Sequence, residues 1–175
     1  MNQPFNTLLK NITLRSITGT FFRAVPAHVA DYALEDGPSY FFKNRYNISE
    51  QFGALYFGDR AEVCKATLEK RGLLASRRVP NILLSFDIQV DGILDLTEPD
   101  IMKLLQIHRE NLVQTREKPG AYDTSHKLAG AAYSSNRILG MHVPDVSETG
   151  NTLVLYPGKI LEKHFIRLTG KLNLF

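Results

Sequence analysis

The stretch Gly53-Ala54-Leu55-Tyr56-Phe57-Gly58, followed at once by Asp59 and a helical pattern over 60–71 that stops at Gly72, sets the reading of this chain. A few apolar residues between two glycines are too short for a helix and read as a buried strand. Asp59 can accept the first free amides of the helix that follows, and Gly72 can take the left-handed backbone that ends it. Upstream, Thr20-Phe21-Phe22-Arg23-Ala24-Val25 reads as another strand, closed by Pro26 and followed by a short helix over 27–34. Asp36-Gly37-Pro38-Ser39 is turn chemistry. Residues 40–52 read as an irregular loop of aromatic and polar groups, and loops of that length inside a compact domain usually carry function.

Downstream, 81–97 reads as a long strand or a hairpin about Val90-Asp91-Gly92. A helix over 98–109 has Pro99 in its tolerant first turn, and 110–123 reads as an exposed connection. A helix over 124–134 and strands over 138–143, 152–156 and 163–172 complete the chain, with a helix over 5–12 at its start. Strands and helices are interspersed without the regular alternation of a doubly wound sheet, so the expected class is α+β with mixed sheets. The expected organisation is one domain over 20–175 behind an N-terminal helical extension over 1–19.

The 175 residues suffice for one domain with a sizeable core. A formal charge of +3 is a weak basic bias that favours anionic ligands slightly and falls short of a nucleic-acid signature, so no direct nucleic-acid contact is expected. No apolar run reaches the roughly 18 residues of a membrane span. The single cysteine, Cys64, excludes an internal disulfide, reads as a small buried residue of a helix, and fits a reducing, cytoplasmic setting. The first thirty residues hold Lys10, Arg15 and Arg23 with no acid before Asp31, faintly like an organelle transit segment; without a small-residue cleavage site, a helix and a strand are the preferred reading. The five histidines, His28, His108, His126, His142 and His164, show no metal-ligand spacing, and no metal is expected. His142 lies near Asp145, where it lines a cleft or serves as an ordinary structural histidine. Neither G-x-G-x-x-G nor G-x-x-x-x-G-K-[ST] occurs, so the common backbone cradles for phosphate are missing.

Three positions carry chemistry despite this. Arg23 interrupts an apolar strand, where an inward charge is costly without an anionic partner. Arg45 lies in Lys43-Asn44-Arg45-Tyr46-Asn47, a loop that adds further donors and a ring; guanidinium forks bind phosphate bidentately and tyrosine stacks on a base or ribose. Tyr56 ends a strand beside a glycine, which places its hydroxyl near a loop. Each has an ordinary alternative: solvent contact for Arg23 and Arg45, core packing for Tyr56.

In order along the chain, Phe22-Arg23-Ala24-Val25, Asn44-Arg45-Tyr46-Asn47, Ala54-Leu55-Tyr56-Phe57-Gly58, Leu94-Asp95-Leu96-Thr97, Val143-Pro144 and Gly150-Asn151-Thr152-Leu153-Val154-Leu155-Tyr156 resemble the RES domain, the toxin half of RES–Xre toxin–antitoxin pairs. The resemblance covers about three quarters of the chain. It implies a fold related to ADP-ribosyltransferases and a cleft for NAD+, whose nicotinamide–ribose bond is cleaved by hydrolysis, phosphorolysis or transfer of ADP-ribose. It assigns Arg23 and Arg45, with Tyr46 and Asn47 beside them, to holding the dinucleotide, and Tyr56 to packing against the nicotinamide or ribose. A homodimer and an Xre-type antitoxin are the implied partners.

The sequence departs from the family at two places. The family's glutamate falls eleven positions beyond the tyrosine, where this chain has Thr67, and its serine follows the proline of Val143-Pro144, where this chain has Asp145. Three readings stand side by side. Glu69 or Ser147 takes the role in a shifted register; Thr67 and Asp145 exchange hydroxyl and carboxylate and form a variant catalytic pair; or the chain is a pseudoenzyme that binds without cleaving.

Overall fold

A computed structural model describes residues 5–70, 72, 80–114, 120 and 122–174. Its elements are α1 (Phe5–Leu8), β1 (Arg15–Pro26), α2 (Gly37–Phe41), β2 (Leu55–Gly58), α3 (Ala61–Lys70), β3 (Asn81–Asp95), α4 (Pro99–Leu104), α5 (Arg109–Val113), α6 (Asp123–Ser134), β4 (Gly140–Pro144), β5 (Asn151–Leu155) and β6 (Phe165–Asn173). The architecture is α+β, as the mixed pattern implies. β1, β2, β5, β4 and β3 are hydrogen-bonded in that order, and β1 pairs with β3 as well, so these five strands close on themselves while β6 extends β3 outward. Only β3 and β4 run parallel; the other pairings are antiparallel.

The strand alternation sorts the core. Inside the ring, Phe21, Val25, Leu55, Phe57, Leu84, Phe86 and Leu153 pack together, and outside it Leu94, Met141, Val143, Val154 and Tyr156 pack under α6 with Leu128 and Ala129. A smaller cluster joins Cys64 and Leu68 of α3 to Leu83 and Leu174.

Several boundaries differ from the sequence reading. The turn at Gly37-Pro38-Ser39 is the first turn of α2, with Pro38 where a missing amide costs nothing. The Val90-Asp91-Gly92 segment is a bend within one continuous strand. Gly92 has φ +67°, and a Cβ there would lie 2.7 Å from the Arg137 carbonyl oxygen, so the glycine answers a close approach of backbone. The helix expected over 98–109 divides into α4 and α5 at Gln106, which takes φ +56°. The start of the expected exposed connection is helical, and its Leu112 is fully buried. Residues 115–119 and 121 of that connection, Arg71 at the expected end of α3, and residues 1–4 of the extension lie outside the described residues.

Candidate functional site

β1 and β2 pair at one position only, Phe22 opposite Gly58. Continuing the antiparallel register would set Arg23 against Phe57 and Ala24 against Tyr56. The strands part there instead, and Arg23 Nη1 donates to the Tyr56 carbonyl across the gap at 3.2 Å. Arg23 shares its face of β1 with Phe21 and Val25, so its guanidinium lies among ring-interior groups, 5.8 Å from the Phe57 ring centre. Burial pushes it down to about 10, so it stays cationic at neutral pH, and its Nε–H is buried without a hydrogen-bond partner. No carboxylate forms an ion pair with it among the described residues. A buried cation left without a counter-charge is costly and marks a place for an anion.

The loop that follows α2 brings Arg45 to the outer side of the same strand. Its Nη2 donates to the Gln114 carbonyl, its guanidinium sits 4.7 Å over the Tyr122 ring, and its Nη1 is buried with no partner. Two half-buried arginines therefore each keep one buried nitrogen without a partner. The loop is fixed by Asn47, which is fully buried: its Nδ2 donates to the carbonyls of Ser39 (2.6 Å) and Phe42 (2.9 Å), and its Oδ1 accepts from the Tyr56 hydroxyl at 2.8 Å. The Tyr56 hydroxyl accepts in turn from the Tyr46 amide at 3.1 Å. Burial pushes both the Tyr46 and Tyr56 phenols well up, so neither is a ready acid near neutral pH.

Asp145 follows β4 and is buried, with Oδ1 accepting from the Thr152 hydroxyl (2.8 Å) and Oδ2 from the Ser147 amide (2.7 Å). Thr67 lies on the face of α3 shared with Val63 and Lys70, at i, i+4 and i+7. Lys70 Nζ donates to the Val146 carbonyl at 2.7 Å, and a Cβ on Gly150 would lie 2.7 Å from Val63 Cγ2. Thr67 is thus on the helix face that meets the turn over 145–150, and its side chain makes no hydrogen bond among the described residues. Glu69 is exposed, and the Ser147 hydroxyl pairs with that of Thr149 at 2.7 Å.

Cys64 is buried, donates to the Phe22 carbonyl at 3.3 Å, and burial raises its thiol, which makes it a packing residue. His142 holds Asp95 (Nδ1 to Oδ1, 3.3 Å), whose other bonds come from Thr97 and Arg15. Among the described residues no group of three or more His, Cys, Asp or Glu is placed to hold a metal ion, and no helix is long and apolar enough to cross a membrane.

One residue escaped the sequence reading. Ser125, in the first turn of α6, is fully buried beside the Tyr46 hydroxyl, and both hydroxyls lack a partner at hydrogen-bonding geometry. A serine in a helix's first turn ordinarily reads as a cap, so the sequence gives no cue to its inward direction. Beyond that turn lies a groove of about 890 Å³ bordered by Ile48, Phe52, His126, Lys127 and Tyr133; it contains none of Arg23, Arg45, Tyr46, Asn47, Tyr56, Thr67 or Asp145. We place the candidate site at the strand gap because Arg23, with its buried, partnerless Nε–H, is there.

The sequence matches no protein-family model, and no curated protein matches it. The structure is similar to a chain in the crystal structure of the M. tuberculosis MbcT–MbcA toxin–antitoxin complex, with a TM-score of 0.81 at 19% identity, covering 98% of this chain and 92% of that one. At that identity the likeness shows a shared fold over nearly the full length of both.

Proposed function

We propose that this chain is an RES-type domain that binds NAD+ at the β1–β2 gap and cleaves its nicotinamide–ribose bond. The observation that carries the reading is Arg23: a buried guanidinium without a carboxylate partner, at a place where two strands part. A second arginine with a partnerless donor, Arg45, sits on the loop bonded to the Tyr56 hydroxyl of β2. In this reading Arg23 and Arg45 hold the diphosphate, Tyr46 and Asn47 shape the loop beside it, and Tyr56 flanks the nicotinamide ribose. The C1–N bond breaks with its electron pair leaving on nicotinamide, and water, phosphate or a protein group forms the new bond to C1. Asp145 supplies negative charge to the oxocarbenium-like state and Thr67 a hydroxyl. The structural neighbour's presence in a toxin–antitoxin complex supports a toxin-like role for this chain and an antitoxin as its partner. In this reading the antitoxin is of the Xre type and the chain self-assembles as a homodimer.

A second reading, binding without cleavage, is favoured by one observation: both Asp145 oxygens are already engaged, by Thr152 and by Ser147. Incubation with NAD+ separates the two. Release of nicotinamide that Asp145→Ala abolishes supports cleavage. Calorimetric binding of NAD+ with no release supports the binding module, and absence of binding overturns both.

A further inference from the structure

We infer that Asn47 is a positioning residue that acts on an anionic ligand only through Arg45. The inference rests on the reading that Arg45 binds the ligand's phosphates, and it assigns Asn47 no contact of its own. All three hydrogen-bonding directions used by its carboxamide end on protein: the Ser39 and Phe42 carbonyls on one side, the Tyr56 hydroxyl on the other. The side chain is fully buried, so no face of it is open to a ligand.

What Asn47 holds is the loop that carries Arg45. Ser39 and Phe42 lie at the near end of that loop, and Tyr56 lies on β2 across from it, so one amide ties both sides together. The tie is doubled. The Tyr56 hydroxyl takes the Tyr46 amide, directly after Arg45, and the Ser39 hydroxyl accepts from the Ala54 amide at 2.7 Å, which fixes the loop to the chain entering β2. An isolated bridge between Asn44 and Asn47 closes the short bend that holds Arg45. With its backbone set in this way, the Arg45 guanidinium reaches the Gln114 carbonyl and the Tyr122 face while Nη1 stays free. Buried networks of this kind fix geometry more than they add contact energy, and a small misplacement of a charged fork costs binding.

The test is a double-mutant cycle on ADP-ribose binding, read by calorimetry with the intact chain. Asn47→Ala is expected to weaken binding about 10-fold in the wild-type background, the scale of one or two lost hydrogen bonds. In an Arg45→Ala background the same change should have no further effect, because the residue it acts through is already gone. An equal loss in both backgrounds means that Asn47 contacts the ligand independently and overturns the inference. So does unchanged binding by Asn47→Ala. Tyr56→Phe, which removes one oxygen and keeps the ring, repeats the cycle if Asn47→Ala does not fold, and should show the same non-additivity with Arg45. If wild-type chain binds ADP-ribose and Arg45→Ala binds it equally well, the underlying assignment of Arg45 fails, which the cycle distinguishes from failure of the coupling.

Discussion

Arg23 Nη1 bonds the Tyr56 carbonyl at 3.2 Å just beyond the one position where β1 and β2 pair, so a side chain continues the ladder where backbone does not. The arginine remains under-satisfied in that role, because its Nε–H has no partner and its charge no counter-ion among the described residues. Retaining an unpaired buried charge costs stability, and function is the usual reason a chain keeps one.

Arg23→Met therefore separates the two effects. Methionine fills similar apolar space and removes the desolvated charge, so Tm should rise by about 3 °C, the scale of 1 kcal/mol for a chain of this size. ADP-ribose binding should fall by at least about 10-fold, the loss expected for charge-assisted hydrogen bonds. A melt and a calorimetric titration of the same sample check both.

Thr67 occupies the helix face that meets the turn over 145–150, at the position where the RES resemblance places a glutamate. Thr67→Glu is expected to raise nicotinamide release from NAD+ by about 10-fold or more, since a carboxylate there would stabilise the developing positive charge on the ribose. Release measured on wild type and variant side by side checks this; equal rates would remove Thr67 from the reaction.

Asp95 gives a pH prediction. Burial alone would raise its carboxyl, but hydrogen bonds from His142, Thr97 and Arg15 outweigh burial and hold it well below the usual carboxylate range. The unfolded group titrates near its ordinary value of about 3.9. Between the folded and unfolded values the unfolded chain binds more protons, so stability rises with pH there. The contribution is complete above about pH 5 and is lost as pH falls through the folded value. Asp95→Asn should flatten the fall in urea midpoint between about pH 5 and pH 2 relative to wild type.

Gly140 pairs with Ile93 on β3 and Leu155 on β5, and a Cβ there would lie 2.3 Å from the Val154 carbonyl oxygen and 2.8 Å from Leu155 Cδ2. β5 must shift to admit a methyl, because the nearest of these atoms is backbone. Gly140→Ala should cost about 2–3 kcal/mol in urea unfolding.

The strands were legible where apolar residues were dense, as in Phe21-Phe22 and Leu55-Tyr56-Phe57. β1 begins earlier than its apolar run, because Arg15 to Thr20 alternate polar groups on a surface that only pairing with β3 explains. The sequence misleads at Gln106, and it leaves 81–97 open between a long strand and a hairpin about Gly92, for a related reason. A break or a bend there depends on what packs against the backbone, the Arg137 carbonyl in the case of Gly92, and local composition does not carry that information. At the site, Arg23 and Arg45 stood out as charges in apolar or aromatic surroundings. Ser125 did not, because burial of a hydroxyl is a property of the assembled fold.

The β1–β2 seam also bears on how the ring opens. Along β3 the first strand is laced by pairings from Arg15 to Pro26, whereas toward β2 it has one paired position and an arginine. A closed sheet fails first at its weakest join, so local opening begins there without breaking the long ladder. Under the proposed function, a ligand whose phosphates engage Arg23 would loosen the fastening of the same edge it enters, and faster amide exchange along β2 on ligand addition is the expected sign.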